Sequence, residues 1–498
     1  MTTQKRVDVL VVGAGPTGLT AAGDLARCGR SVVVVERWPD VNPSSRAFAT
    51  MARTLEVLDA RGLADHVLAK SHRAPGVSIF AGARIELTHL RSEFRFVAVT
   101  PQTNVDHALA GYATSRGAEI LRGVEIIALE QDPDGVTVTA RPKGDDDPDH
   151  RATWRAAYVI GADGAHSTVR ELIGVGFPGK TILSSIVLAD VKLADGPGDG
   201  GLSLASSRER FAFLAPYGRV DDDGAWYRTM VWERSHQVPD GEPVEPPEVI
   251  DVLNRAMGRD LGVREVGWLS RFHCDERQVT QYRYGRVFLA GDAAHVHSPM
   301  GGQGMNTGIQ DAANLAWKID AVLAGAPDDV LDTYHAERHP IGKRVLVQSG
   351  LMARGVTLRP RIARGMRNLL APRLLRRPRV RDTVAGSFAG TELRYPHERG
   401  QNRLVGTRAT EIPLLQGKLT HLQRSAGFVL IRENGAEPVG VPGLADAERA
   451  DAGPAVLVRP DGYIAWVGES SDRDGWTTVL HRWLGSARSM SGTSTQTA

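Results

Sequence analysis

Two cysteines in 498 residues, Cys28 and Cys274, are too few for a disulfide framework and form no metal-spaced pair. Such cysteine usage fits a reducing cytoplasm. No apolar stretch approaches the roughly 20 residues that a membrane helix needs, so a spanning helix is not expected. The short N-terminal apolar run is interrupted by glycines and lacks a cleavage-like site, which makes it a strand and not a secretion signal. Charge of one sign is scarce as well. Sixty basic residues against 58 acidic ones leave +2, which gives no general electrostatic reason to expect nucleic acid as a partner. There is no Gly-x-Ser-x-Gly elbow to support a hydrolase. What is present is ordinary for a globular protein, 42% hydrophobic and 24% charged, in a chain too long for one core and long enough for two or three domains.

The most informative local feature is at the start. Val7 to Val12 is an apolar, strand-like run that breaks into Gly13-Ala14-Gly15-Pro16-Thr17-Gly18, and Leu19 to Arg27 reads as the following helix. Gly13 permits a tight turn, Gly15 lets a pyrophosphate approach the backbone, and Gly18 allows close helix–strand packing. The helix start offers free N–H groups and positive potential to phosphates. A second apolar run, Ser31 to Val35, ends in Glu36, placed to bind a ribose hydroxyl, with Arg37 beside it. Gly196-Pro197-Gly198-Asp199-Gly200-Gly201 matches the same glycine spacing, but it contains Pro and follows no apolar strand, so it reads as a loop.

Further along, Asp145 to Asp149 and Asp221-Asp222-Asp223-Gly224 each separate two strand-like runs and read as exposed hairpin tips. The runs Ile186–Leu193, Arg210–Pro216, Ala225–Trp232 and Val263–Phe272 suggest an antiparallel sheet. From Gly304 the chain turns helical, with Ile309, Ala312, Ala316, Ile319 and Leu323 at helical spacing, and stays so to about Leu375. The stretch from Arg354 to Arg381 is rich in arginine. It admits a nucleic-acid or acidic-lipid patch, but interleaved Leu351, Ile362, Met366, Leu369, Leu370, Leu374 and Leu375 favour an amphipathic helix whose arginines face water or carboxylates. After it, Gly427–Ile431, Ala455–Val458 and Tyr463–Val467 read as strands, the last two joined by a Pro460-Asp461-Gly462 turn. Ser486 to Ala498, mostly Ser, Thr and Gly, reads as a disordered tail.

Two later motifs specify the dinucleotide. Tyr158 to Arg170 is a strand ending in Gly161-Ala162-Asp163-Gly164 before a helix start. Arg286 to His295 is a strand ending in Gly291-Asp292, followed by Pro299-Met300-Gly301-Gly302-Gln303-Gly304-Met305-Asn306 and the long helix. With Arg46 and the Met51–Glu56 segment, this ordered set resembles the group A FAD-dependent aromatic hydroxylases, the para-hydroxybenzoate hydroxylase fold. The resemblance runs from Val7 to about Trp317. From about Gly400 onward the chain resembles, more loosely, the thioredoxin-like C-terminal domain of phenol, aromatic polyketide and rifamycin hydroxylases. That segment has no Cys, which excludes a thiol redox role.

The resemblance implies an α/β fold: a Rossmann-like FAD-binding domain (1–72, 104–178 and 275–350) with an inserted antiparallel-sheet substrate domain (73–103 and 179–274), a helical linker segment (351–398), the thioredoxin-like domain (399–485) and the tail (486–498). It implies FAD held by Gly13, Gly15, Gly18, Glu36, Arg37, Arg46, Gln102, Asp163, Asp292, Pro299, Gly302, Gly304, Met305 and Asn306. Asp163 is expected between the pyrophosphate and the nicotinamide donor, Arg46 on the moving cofactor, and Pro299 beside the flavin's reacting edge. NADPH or NADH would reduce the flavin, O2 would add to give a C4a-hydroperoxide, and an aromatic or polyketide substrate would be hydroxylated. No residue is identifiable as a catalytic base from the sequence, and none is needed where the substrate's own phenolate activates the ring; Arg46 and Pro299 are the residues expected near the reacting flavin. Phe211, Phe213, Trp226, Tyr227, Trp232, Trp268 and Phe272 are candidates for the pocket or the core alike. His295 and His297 lack a third ligand, so no metal is expected, and His295 reads as a packing and hydrogen-bonding residue. Neither a nucleic-acid nor a membrane partner is expected, and a homo-oligomer is left open. Other flavin chemistry on the same fold stays open, including Baeyer–Villiger insertion and a non-catalytic FAD-binding redox module; the Trp-x-Trp-x-Ile-Pro motif of flavin halogenases is absent.

Overall fold

The central parallel strands are almost wholly apolar because they are covered on both faces. In the computed structural model, which describes residues 4–41, 46–79, 82–197, 202–221, 223–425 and 427–488, β1 (Lys5–Val12) leads through the Gly13 turn into helix α1 (Pro16–Arg27) and then β2 (Val32–Glu36). β3 (Ala152–Gly161) pairs parallel with β1 along one edge. Along its other edge β3 pairs first with the antiparallel strand Gly135–Pro142 and then with the parallel strand β4 (Val287–Leu289). β2 adds to the far side of β1, and Glu119–Arg122 to β2. Helix α2 (Gly304–Leu323) packs with α1, and Leu10, Leu19, Val34, Ile160, Phe288 and Ile309 share one buried cluster. Helix α3 (Asp332–Val356) lies beside α2.

A second eight-stranded sheet runs in the order His295–Val296, Val263–Gln278, Gly179–Leu193, Gly224–Glu233, Arg210–Asp221, Leu202–Ser206, Gly76–Ser78, Arg84–Glu86. All its pairs are antiparallel except Leu202–Ser206 with Gly76–Ser78. Two segments depart from the sequence-based grouping. Val97–Val99 joins a separate small sheet with Ala49–Thr50 and His72–Ala74, and His295–Val296 crosses over to extend the large antiparallel sheet. Both aspartate-rich segments lie at hairpin tips, Ala140 pairing with Ala152 and Asp221 with Gly224; Asp222 lies outside the described residues.

The C-terminal unit is a four-stranded sheet, Ala445–Glu448, Val429–Arg432, Ala455–Val458 and Ile464–Gly468, with the helical segment Arg473–Arg488. The first of these strands carries no strong alternation and escaped the sequence reading. The expected tail begins later than anticipated, because the helical segment runs to Arg488; 489–498 lie outside the described residues, as do 198–201 of the second glycine-rich stretch. Helices Arg361–Leu375 and Pro378–Ala389 form in the arginine-rich region; the second buries Ala385 and Ala389, whereas the first has its apolar Ile362, Met366, Leu369, Leu370 and Leu374 exposed.

Candidate active site

Four parallel strands deliver their carboxyl ends to one place, which is where open α/β sheets bind ligands. β1 ends at Gly13, β2 at Glu36, β3 just before Asp163, and β4 just before Asp292. These residues line a groove of about 2430 Å³, joined by Gly15, Arg37, Arg46, Gln102, Pro299, Gly302, Gly304 and Met305. Gly13 has φ +104°, and a Cβ there would sit 2.4 Å from the Ala162 carbonyl oxygen. The turn after β1 is thereby pressed against the exit of β3, which only glycine allows. The N-termini of α1 and α2 both open on the groove through Gly15-Pro16 and Gly304-Met305, presenting backbone N–H groups of the kind that bind anions.

Two expected residues do not line the groove. Gly18 faces the turn, where a Cβ would lie 1.9 Å from the Gly13 carbonyl oxygen, so its part is the close packing anticipated for it. Asn306 is buried, and its side chain accepts from the Met51 amide at 2.8 Å and donates to the Ala49 and Gly302 carbonyls at 2.9 and 2.7 Å. It staples the start of α2 to the Ala49–Met51 segment.

The carboxylates differ in what they hold. Glu36 accepts from the Ala14 amide at 2.6 Å and from the Trp38 amide at 2.9 Å, which ties the end of β2 to the glycine turn. Asp163 accepts from the Val169 amide at 3.0 Å through Oδ2, capping the short helix Thr168–Leu172, while its buried Oδ1 has no hydrogen-bond partner. Burial pushes its carboxyl above the ordinary value, against Ser167 and the backbone amides that favour the anion. Asp292 opens onto the groove, yet the protein around it also pushes its carboxyl up, with His295 and Arg46 pulling the other way. The guanidinium of Arg46 lies 4.8 Å from the Phe272 ring centre at the groove wall.

Several participants were not legible in the sequence. His297 lines the groove beside Gly304, its Nδ1 is 3.0 Å from the Ser298 carbonyl, and its buried Nε2 has no hydrogen-bond partner. Burial drives its pKa down to about 4, so the ring is neutral at pH 7. Beneath the Gly291-Asp292 turn, Asp311 accepts from the Gly291 amide at 3.2 Å, meets His295 Nε2 at 2.7 Å and takes Arg338 Nε at 2.7 Å. Although burial alone would raise it, Arg338 and His295 hold the Asp311 carboxyl below its ordinary value. Asp311 fell on the buried face of a helix with nothing to mark it except being acidic there. Cys274 also lines the groove, but burial pushes its thiol up to about 12 and leaves it unreactive. No group of three or more His, Cys, Asp or Glu among the described residues is placed to hold a metal ion.

A second, smaller cavity adjoins the groove, and Phe48, Ala49, Pro299 and Gly302 line both. Among the described residues none of the side chains around it is polar; Leu202, Leu204, Phe213 and Met230 come from the antiparallel sheet, Met352 and Val356 from α3, and Phe388 from the segment expected to be a linker. Of the seven candidate aromatics, Phe213 reaches this cavity and Phe272 the groove. Phe211 and Trp232 instead stack on each other in the core, ring centres 5.7 Å apart.

A dinucleotide groove at the strand ends that meets an apolar cavity is the arrangement of a flavin-dependent oxidoreductase. Residues 6–349 match the family described as FAD binding domain, and residues 402–487 match that described as aromatic-ring hydroxylase, C-terminal. The chain belongs to this family: it is an FAD-dependent aromatic monooxygenase. It is 36% identical to 12-dehydrotetracycline 5-monooxygenase/anhydrotetracycline 6-monooxygenase of Streptomyces rimosus, over 96% of this chain and 99% of that one. Rifampicin monooxygenase of Streptomyces venezuelae is also 36% identical over the same shares of both chains. Among solved structures, the anhydrotetracycline hydroxylase OxyS of Streptomyces rimosus superposes with a TM-score of 0.82 at 35% identity, covering 96% of this chain and 99% of that chain. No helix among the described residues is long and apolar enough to cross a membrane.

Proposed function

We propose that this enzyme hydroxylates an uncharged, polycyclic aromatic compound of polyketide type, using NAD(P)H and O2. The observation that carries this reading is the cavity at Pro299–Gly302, which offers apolar surface and, among the described residues, no polar side chain. A carboxylated or otherwise charged ring would lose its hydration there with no partner to replace it. A flat, largely apolar polycycle would be held by burial and shape. Relatives named as anhydrotetracycline and rifampicin monooxygenases act on aromatic polyketides.

FAD fits the groove. The unpartnered Oδ1 of Asp163 and Nε2 of His297 are buried polar atoms awaiting a partner, and the cradle at Gly13 leaves no space for a side chain. In this reading Gly13 and Gly15 pass the pyrophosphate along the start of α1, Glu36 and Arg37 take the adenosine ribose, and Asp163, Asp292 and Gln102 flank the polyol. Gly302, Gly304, Met305 and Pro299 border the ring, and Gly18 and Asn306 brace the turns behind it. Bound FAD supplies the redox chemistry, accepting hydride from NAD(P)H and activating O2. The protein contributes the rest: Arg46 adds positive charge at the groove, the start of α2 offers its dipole to negative charge, and the apolar cavity excludes water. With no acid or base among the described residues of the cavity, ring activation rests on the substrate's own hydroxyl groups.

The test is anaerobic reduction of the holoenzyme by NADPH and by NADH, followed by the visible flavin absorbance, with and without single-ring phenols, hydroxybenzoates, naphthoquinones, anhydrotetracycline and rifamycins. Acceleration by the polycyclic compounds and none by the hydroxybenzoates is expected. Acceleration by a charged single-ring acid alone would overturn the substrate reading, and flavin unresponsive to every compound would overturn substrate-gated reduction.

A further inference from the structure

Helix Arg361–Leu375 buries none of its residues and is turned the opposite way from an ordinary surface helix. Two of its arginines face inward: Arg364 donates to the Ser206 carbonyl at 2.9 Å and Arg367 to the Gly355 carbonyl. Its apolar side chains face outward, with Ile362 80% exposed, Met366 55% and Leu369 54%. Ten large hydrophobic residues are exposed among the described residues, and five of them, Ile362, Met366, Leu369, Leu370 and Leu374, lie on this one helix. Around it Arg359, Arg361, Arg373, Arg376, Arg377 and Arg379 are exposed, while Arg354 pairs with Glu276 at 2.9 Å, and from Arg338 to Arg381 the sequence contains no Asp or Glu.

From this we propose that the Arg361–Leu375 face docks on an anionic lipid surface. The combination is that of an interfacial helix: apolar side chains to enter the headgroup boundary and flanking guanidinium groups to meet lipid phosphates. Charge complementarity decides against the other simple occupant. A two-fold dimer through this face would bring the same arginines of both copies together with no carboxylate from this stretch between them. The helix is anchored to segments that also line the apolar cavity: the acceptor of Arg367, Gly355, precedes Val356, and the acceptor of Arg364, Ser206, lies two residues after Leu204. A lipid-facing helix there would bring the cavity close to a reservoir of apolar compounds, but the docking surface stands without any assumption about the substrate. It departs from the sequence-based expectation of no membrane partner, in which this stretch is an amphipathic helix whose arginines face water or carboxylates.

The experiment is flotation of the FAD-loaded enzyme with vesicles of phosphatidylcholine alone and of phosphatidylcholine with roughly 30 mol% phosphatidylglycerol at low salt. Recovery with the anionic vesicles only, and release on adding salt, is expected. Arg373→Gln, Arg376→Gln and Arg377→Gln combined should weaken partitioning roughly a hundredfold. Ile362→Ser, Met366→Ser and Leu369→Ser combined should weaken it roughly tenfold or more. Equal recovery with both vesicle types, recovery with neither, or variants that bind like the parent would overturn the proposal. So would a dimer in solution that Leu369→Ser dissociates, since a second copy would then cover the face. Should a variant fail to fold, salt release of the parent from anionic against neutral vesicles decides alone.

Discussion

Arg459 in the C-terminal sheet unit and Glu337 in α3 form a buried two-pronged ion pair, Nη1 to Oε1 at 2.6 Å and Nη2 to Oε2 at 2.8 Å. Glu337 also accepts from Lys318 at 2.7 Å and from Asn314 at 2.7 Å, both on α2, the helix whose first turn borders the groove. Although burial alone would raise the Glu337 carboxyl, Arg459 and Lys318 hold it far below the usual carboxylate range. Burial brings the Lys318 ammonium down to about 8. The C-terminal unit is thus keyed into the body of the flavin-binding part through charge, and Asp461 extends the network to Arg459 and to Asn314.

Removing one member of such a network leaves buried charges without partners. Arg459→Met should cost about 3–5 kcal/mol, read as a lower denaturation midpoint of the holoenzyme, together with weaker retention of FAD. A variant as stable as the parent would mean that the unit is merely tethered.

Gln102 pairs with Ala47 in both directions: its backbone N–H donates to the Ala47 carbonyl at 3.0 Å, and its Oε1 accepts from the Ala47 amide at 3.1 Å. The side chain stands in for a neighbouring strand and holds the segment that carries Arg46. Gln102→Leu strands the Ala47 N–H at a cost of about 1–3 kcal/mol. The expected outcome is FAD still bound but reduced roughly tenfold more slowly by NAD(P)H, measured by stopped-flow absorbance. Loss of FAD itself would assign Gln102 directly to cofactor retention.

His297 gives the fold an acid-side weakness. Its folded pKa of about 4 lies below its ordinary value of 6.5, so the unfolded chain takes up the proton first as pH falls. Its contribution is complete above pH 6.5 and is lost progressively between pH 6.5 and 4, up to about 3 kcal/mol. Denaturation at pH 7 and pH 5, compared between the parent and His297→Asn, should show a smaller loss in the variant; an equal loss would place the acid sensitivity elsewhere.

Much of the architecture is legible because it is local. A glycine turn between an apolar strand and a helix depends on a few consecutive residues, and so do the strands ending at Glu36, Asp163 and Asp292, which is why their order along the chain pointed to a flavin enzyme. Other roles were hidden by sequence separation. Asp311, His295 and Arg338 are 16 and 27 positions apart, and Glu337 and Arg459 are 122 apart. Nothing in a one-dimensional pattern says that such charges meet.

Periodicity has the same limit. Spacing alone determined that 361–375 is an amphipathic helix, because the 3.6-residue repeat is a property of the backbone. Which face turns inward was decided by tertiary contacts, where Arg364 and Arg367 found carbonyl acceptors and the leucines found no apolar surface to cover. The sequence by itself determined the strand–turn–helix units and the chemistry they carry, since each is settled within a dozen residues. Only the tertiary structure decided that Pro299–Gly302 separates a polar groove from an apolar cavity, because that wall is built from segments that the chain brings together across hundreds of residues.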